Sequence, residues 1–302
     1  MKTNPLVALG RAGQSPWIDY IHRGMIASGE LSRRIAEDGI RGVTSNPTIF
    51  EKAVSSGHDY DDQIRALARS RAALLDAYKA IVTDDIRAAA DVLRPVFDAS
   101  GGDDGYVSLE VDPDMAGNTK ATIARVRELF DAVGRPNVMI KIPGTKEGLP
   151  AVEETIAAGV PVNITLIFSV KRYEEVADAY LRGLERLTSA GGDPRKTASV
   201  ASFIVSRIDT VVDALLLSTV ERWPGSPKAE TALSLLGKTA VASARSAYAR
   251  YLAIFGSPRW NAGCPDHRFG GWRSAGEWRQ DPVAGSCRAL TGGSHDSRPQ
   301  SV

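Results

Sequence analysis

Apolar positions along this chain follow two rhythms. Short, largely apolar runs occur at Trp17 to Tyr20, Gly42 to Asn46, Tyr106 to Val111, Val138 to Pro143, Val162 to Phe168 and Ala198 to Val205. Their length and bounding turn residues read as strands. Between them the spacing changes. Ile123, Val126, Leu129, Phe130 and Val133 recur every three or four residues, as do Val170, Tyr173, Val176, Ala177, Tyr180, Leu181, Leu184 and Leu187. That is the signature of helices with one buried face. Longer helical regions are expected from about Gln63 and Ile64 to Phe97, with Pro95 marking an end or a kink, and from about Lys228 to Phe255.

Strands alternating with helices imply parallel βαβ units and an α/β class. The choice lies between an open doubly wound sheet and a (β/α)8 barrel. No glycine-rich fingerprint follows a strand. Gly101-Gly102-Asp103-Asp104-Gly105 precedes one and reads as a turn. The barrel is therefore preferred.

Within the fourth run, Val138-Met139-Ile140-Lys141-Ile142-Pro143, stands a lysine. A strand lysine can lie on a solvated edge or extend its head to water. Buried instead, an amine is driven toward its neutral form, a nucleophile for carbonyl carbon and the start of Schiff-base chemistry. The neighbouring strands help to choose. Residues two apart on a strand share a face, which pairs Thr44 with Asn46, Ser108 with Glu110, and Asn163 with Thr165. Asp19 and Ser202 interrupt two further apolar runs, and Arg207 follows the last one. Each has a plain reading. Asn46-Pro47 can open a helix, Asp19 can cap one, and Glu110 and Arg207 can be solvated charges. Asn163 and Thr165 can bond locally, and Ser202 can be a small core residue. Six strands offering polar groups at similar depth favour a shared cavity, and barrel active sites gather at the C-terminal mouth.

Composition narrows the classes. The chain has 302 residues, 43% hydrophobic, with a net charge of +1. It is ordinary for a globular enzyme and gives no general attraction for nucleic acid or anionic membranes. No apolar stretch is long enough to span a bilayer, and Met1-Lys2-Thr3-Asn4-Pro5 makes a poor signal peptide. Cys264 and Cys287 fit no metal motif. A cytoplasmic protein without a nucleic-acid or membrane partner is expected; the oligomeric state is not legible.

Five segments in order resemble the transaldolase family. Gly42 to Phe50 (GVTSNPTIF) is similar to its first signature. Val138 to Leu149 (VMIKIPGTKEGL) is similar to the second, which carries the Schiff-base lysine. Val107 to Asp112, Val162 to Ser169 and Ala201 to Arg207 resemble its third, fifth and sixth strands. The resemblance covers about residues 4 to 262. It implies a (β/α)8 barrel that moves a dihydroxyacetone unit between sugar phosphates without a cofactor or metal. By the same resemblance Lys141 forms the imine and Asp19 is the acid/base of C–C cleavage. Glu110 and Thr165 position a water. Asn46 and Asn163, with Thr44 on the Asn46 face, bind the dihydroxyacetone part, and Ser202 and Arg207 lie near the phosphate. The related fructose-6-phosphate aldolases usually lack a glutamate at the Glu110 position, which favours transaldolase.

After Arg259-Trp260-Asn261-Ala262 the two further strands that the resemblance implies are not recognisable. Residues 263–302, rich in Gly, Arg, Ser and Trp, are expected to be irregular or disordered and unrelated to the family, as a shifted reading frame would produce. The expectation is thus a barrel domain at 1–262 with six recognisable strands and the last two missing. Such a chain would be poorly soluble or weakly active, or an inactive relative that only binds sugar phosphates.

Overall fold

A computed structural model describes residues 4–263. All six expected strands form, β4 over its whole apolar run and the others somewhat shorter than theirs: β1 Trp17–Ile18, β2 Gly42–Thr44, β3 Tyr106–Glu110, β4 Val138–Pro143, β5 Val162–Ile167 and β6 Ser199–Phe203. Every neighbouring pair is parallel, and the sheet order is the chain order. Consecutive βα units wound in one direction are the building plan of a (β/α) barrel. Side chains reach across intervening strands on the concave face, from β5 to β3 and from β4 to the end of β2, so the sheet is curled. The positions of any seventh and eighth strand, and the irregular segment expected from 263 onward, lie outside the described residues apart from Gly263, the last residue of the helix Pro258–Gly263.

The two faces of the sheet bury different things. Val138, Ile140 and Ile142 of β4 belong to the large core that the surrounding helices cover. The helix Thr119–Val133 is capped by the Asn118 side chain and ended by left-handed Gly134, and it buries Val126, Leu129 and Val133. The helix Val170–Ser189 is capped by Ser169 and buries the expected face from Tyr173 to Leu187. Each fully buried aliphatic or aromatic side chain there contributes about 1.5–3 kcal/mol. The alternate residues of the strands build a second, smaller cluster in which Tyr106, Met139 and Val200 pack with Trp17, Phe97 and Ala198. This apolar floor sits on the face from which the polar side chains rise.

Two expected helices are each broken in two. The region from Gln63 to Phe97 is Asp61–Arg69 followed by Leu74–Ala99, and the second helix runs through Pro95 rather than ending there. The break is a Schellman-type stop, with Arg71 at φ 53° and the Ala72 N–H bonded to Leu67 O at 3.1 Å. Arginine rarely takes that conformation, so the stop carries no glycine signal. The stretch from Lys228 to Phe255 is Pro227–Leu235 and Thr239–Phe255, parted at left-handed Gly237, whose N–H bonds the Asp213 carboxylate.

The floor depends on close approach at β2. A Cβ on Gly42 would lie 2.3 Å from the Trp17 ring, so the indole lies directly against that backbone. Gly42→Ala should therefore overpack the floor and cost about 1–3 kcal/mol, read as a lower urea midpoint with an unchanged m-value.

Candidate active site

Two residues beyond the floor on each strand the chemistry begins. On β3, Tyr106 is followed on the same face by Ser108 and Glu110; on β4, Met139 by Lys141; on β6, Val200 by Ser202. The register sets Glu110 beside Lys141 and Lys141 beside Asn163, and one level lower Thr44 beside Ser108. Hydrogen-bonded parallel strands hold such neighbours about 4.8 Å apart, so a lysine, a glutamate and an asparagine are forced to share a space. Glu110 and Thr44 end their strands and Lys141 and Ser202 lie in the C-terminal halves of theirs, whereas Ser108 is the middle residue of β3 and Asn163 the second of β5.

Lys141 is buried, with 5% of its surface exposed. Its Nζ donates to the Ser45 carbonyl at 3.0 Å and lies 3.1 Å from Glu110 Oε2. The amine therefore has one fixed acceptor and one acceptor able to take or return a proton. Glu110 is itself only 15% exposed in its side chain. Removing either partner would leave the other polar and poorly solvated.

On the next strands a relay runs Ser202 Oγ to Asn163 Oδ1 at 2.6 Å, then Asn163 Nδ2 to Ser108 Oγ at 3.0 Å. All three are at most 1% exposed. Asn163 retains one N–H for another acceptor.

Asp19 lies one residue past β1 rather than within it, and the Thr44 hydroxyl donates to its Oδ1. Thr44 is fully buried, which fixes one face of the carboxylate. Asn46 plays the plain role: it caps the helix Pro47–Ser55, its Oδ1 accepting the Ile49 N–H at 3.0 Å. Its amide N–H groups are not used by that cap.

Thr165 is buried, and its carbonyl accepts from Gly144 N–H at 2.7 Å. Just beyond it β5 carries one extra residue against β6, since Ile164 pairs with Ala201 and Ile167 with Phe203. Leu166 absorbs the bulge at φ 60° and faces solvent. Arg207 stands apart. It is the second residue of the helix Ser206–Arg222, exposed at the mouth side of β6, and pairs with no described carboxylate.

Sequence reasoning missed two contributors. Ser108 had shared a face with Glu110 but had no assigned part. The Ser45 carbonyl, which holds the lysine, is a backbone atom and leaves no trace in residue type. Behind Glu110, Tyr78 lines a small cavity with Asp112 and Arg125. Burial, with Asp112 and Glu110 nearby, pushes its phenol up to about 12, so at ordinary pH it can donate a hydrogen bond but not act as a base.

Known proteins resemble this chain over most of its length. The family described as Transaldolase/Fructose-6-phosphate aldolase matches residues 16–271. The chain is 48% identical over 260 residues to Transaldolase 2 of Streptomyces avermitilis, covering 86% of this chain and 68% of that one. It is 50% identical over 259 residues to the transaldolase of Thermobifida fusca, covering 86% and 68%. It is also 50% identical over 263 residues to that of Saccharopolyspora erythraea, covering 87% and 69%.

The relay gives a stability test. Ser202→Ala removes the only donor described on Asn163 Oδ1 in a place closed to water, and is expected to cost about 1–3 kcal/mol in chemical unfolding.

Proposed function

The chain belongs to the transaldolase/fructose-6-phosphate aldolase family, and from that footing we propose that it transfers a dihydroxyacetone unit through an imine at Lys141. The donor is a ketose phosphate such as sedoheptulose 7-phosphate, and the acceptor an aldose phosphate such as glyceraldehyde 3-phosphate. The observation that carries this reading is the buried Lys141 Nζ set 3.1 Å from the Glu110 carboxylate.

The amine attacks the ketose C2 carbonyl. The carbinolamine then loses its hydroxyl as water, with Glu110 supplying the proton directly or through a water that Thr165 helps to hold. The protonated imine draws electrons from the C3–C4 bond. Asp19 takes the proton of the C4 hydroxyl as that bond breaks, and the aldose leaves as an aldehyde. The three-carbon unit remains on Lys141 as an enamine. Its carbon adds to the acceptor aldehyde, Asp19 returns the proton, and water releases the new ketose.

Asn46, through its free amide N–H groups, and Asn163, through its remaining one, hold the hydroxyls of the dihydroxyacetone part. Thr44 orients Asp19. Arg207, an always-charged planar fork at the mouth, meets the phosphate, with Ser202 supporting the wall beneath it. Among the described residues no helix is long and apolar enough to cross a membrane. We assign the enzyme to the cytoplasm, where phosphorylated sugars are made and consumed.

Borohydride added to enzyme and fructose 6-phosphate should reduce the imine and leave a three-carbon adduct on Lys141, located by peptide mass spectrometry and absent from Lys141→Met. With erythrose 4-phosphate as acceptor, sedoheptulose 7-phosphate should form. Absence of the adduct would mean a relative that only binds sugar phosphates. Free dihydroxyacetone accumulating beside the acceptor would mean an aldolase. Glu110→Gln should keep the adduct but slow its formation by about 100- to 10,000-fold, the usual worth of a positioned acid–base group.

A further inference from the structure

The carboxylate assigned to C–C cleavage is held directly by one described side chain, the Thr44 hydroxyl, on one face. β1 has two residues and among the described residues pairs only with β2, and Asp19 follows it in a connection that passes through half-exposed Tyr20. A general base has to be within hydrogen-bond reach of the proton it takes, so something must fix the far end of this connection. Ile21, 1% exposed, anchors it by packing. Two residues on, at the start of the helix Arg23–Ala27, comes a polar anchor.

The Arg23 backbone N–H donates to the Tyr60 hydroxyl at 3.0 Å, and that hydroxyl donates to Asp85 Oδ2 at 2.8 Å. The Arg23 guanidinium closes the circuit. Its Nε donates to Asp85 Oδ1 at 2.8 Å, and one Nη donates to Gln63 at 2.6 Å, while the group stacks 4.5 Å from the Tyr60 ring centre. Tyr60 is 1% exposed and Asp85 2%. Asp85 sits within the long helix Leu74–Ala99, which packs on the sheet. The directions leave no freedom: an N–H can only donate and a carboxylate only accept, so the hydroxyl between them has one orientation.

Such a cluster is a poor way to add stability. Burial pushes the Asp85 carboxyl above its usual range in spite of the Tyr60 and Arg23 hydrogen bonds, so the charge is held there at a cost that an apolar trio of similar volume would avoid. What it supplies is a defined position for the backbone of residue 23.

We propose that Tyr60 and Asp85 are positioning residues for Asp19, acting through Arg23 to hold the connection after β1 at the geometry required for C–C cleavage. The inference rests on the cleavage role given to Asp19 above. Lys141 and Glu110 lie on other strands and the Ser45 carbonyl just past β2, and none of them is hydrogen-bonded to Arg23, Tyr60 or Asp85, so the two halves of the reaction separate. Tyr60→Phe keeps the ring but removes the hydroxyl. It is expected to lower kcat for transfer by about 100-fold, the effect of a displacement near 1 Å, with KM within about twofold. Borohydride trapping at Lys141, read as the sum of the intact ketose phosphate adduct and the three-carbon adduct, should stay at the wild-type extent, with the balance shifted toward the intact ketose. Should Tyr60→Phe not fold, Arg23→Lys, which keeps the charge and loses the fork, carries the same test.

Asp19→Asn is the reference and should show the same split more severely. Trapping and turnover falling together with the melting temperature would make the cluster merely structural and overturn the inference, as would unchanged kcat. Full turnover by Asp19→Asn would overturn the Asp19 assignment itself, and this inference with it, whatever Tyr60→Phe does.

Discussion

A lysine amine inside a parallel sheet has to be given partners, and the arrangement around it follows from that requirement. Lys141 reaches the Ser45 carbonyl beyond β2 and the Glu110 carboxylate on β3. Both contacts exist only because the strands are parallel, adjacent in chain order and curled. Parallel register puts Glu110 beside Lys141. Curvature brings the end of β2 within reach across β3. A flat sheet with the same order would hold β2 and β4 nearly 10 Å apart, and the amine would lose its fixed acceptor.

The concave face is layered along the strand direction, and the layering is a direct product of the two-residue period. Tyr106, Met139 and Val200 close one end with Trp17. The next inward residues, Ser108, Lys141 and Ser202, are polar. The apolar floor bars water from below, and the polar layer above satisfies itself through the Ser202–Asn163–Ser108 relay. Under the function proposed above, a carbonyl substrate entering from the mouth meets an amine backed by an apolar floor and flanked by groups whose orientations are already set. That is the preorganisation a Schiff-base site needs. The two carboxylates are held differently. Glu110 lies in a strand of five residues in mid-sheet, whereas Asp19 lies beyond a strand of two and borrows its rigidity from the buried Arg23–Tyr60–Asp85 cluster.

Much of this was legible in residue order. Six apolar runs became six strands, because burial on both sides of a parallel sheet demands continuous apolar character. The faces of the helices Thr119–Val133 and Val170–Ser189 were legible residue by residue, because only one rotation buries residues spaced three and four apart. Lys141, Glu110, Asn163 and Ser202 stood out as candidates because a polar residue within such a run is an exception that needs a cause. Helix ends were less legible: Gly237 offered a signal, but Arg71 takes a glycine-like conformation without a glycine.

The sequence by itself determined the element types, the inward polar set and the likeness to a transaldolase. Tertiary structure alone decided which of these groups touch. Asn46 was found to be engaged as a helix cap, Arg207 to stand exposed and unpaired among the described residues, and Asp19 to lie past its strand. It also decided that a backbone carbonyl at Ser45 holds the lysine, and that a tyrosine and an aspartate far along the chain fix the start of a helix near Asp19. The reason is physical. Alternation and periodicity are local properties that any strand or helix must obey. A hydrogen bond between residues 37, 62 or 96 positions apart depends on the curvature and packing of every element between them.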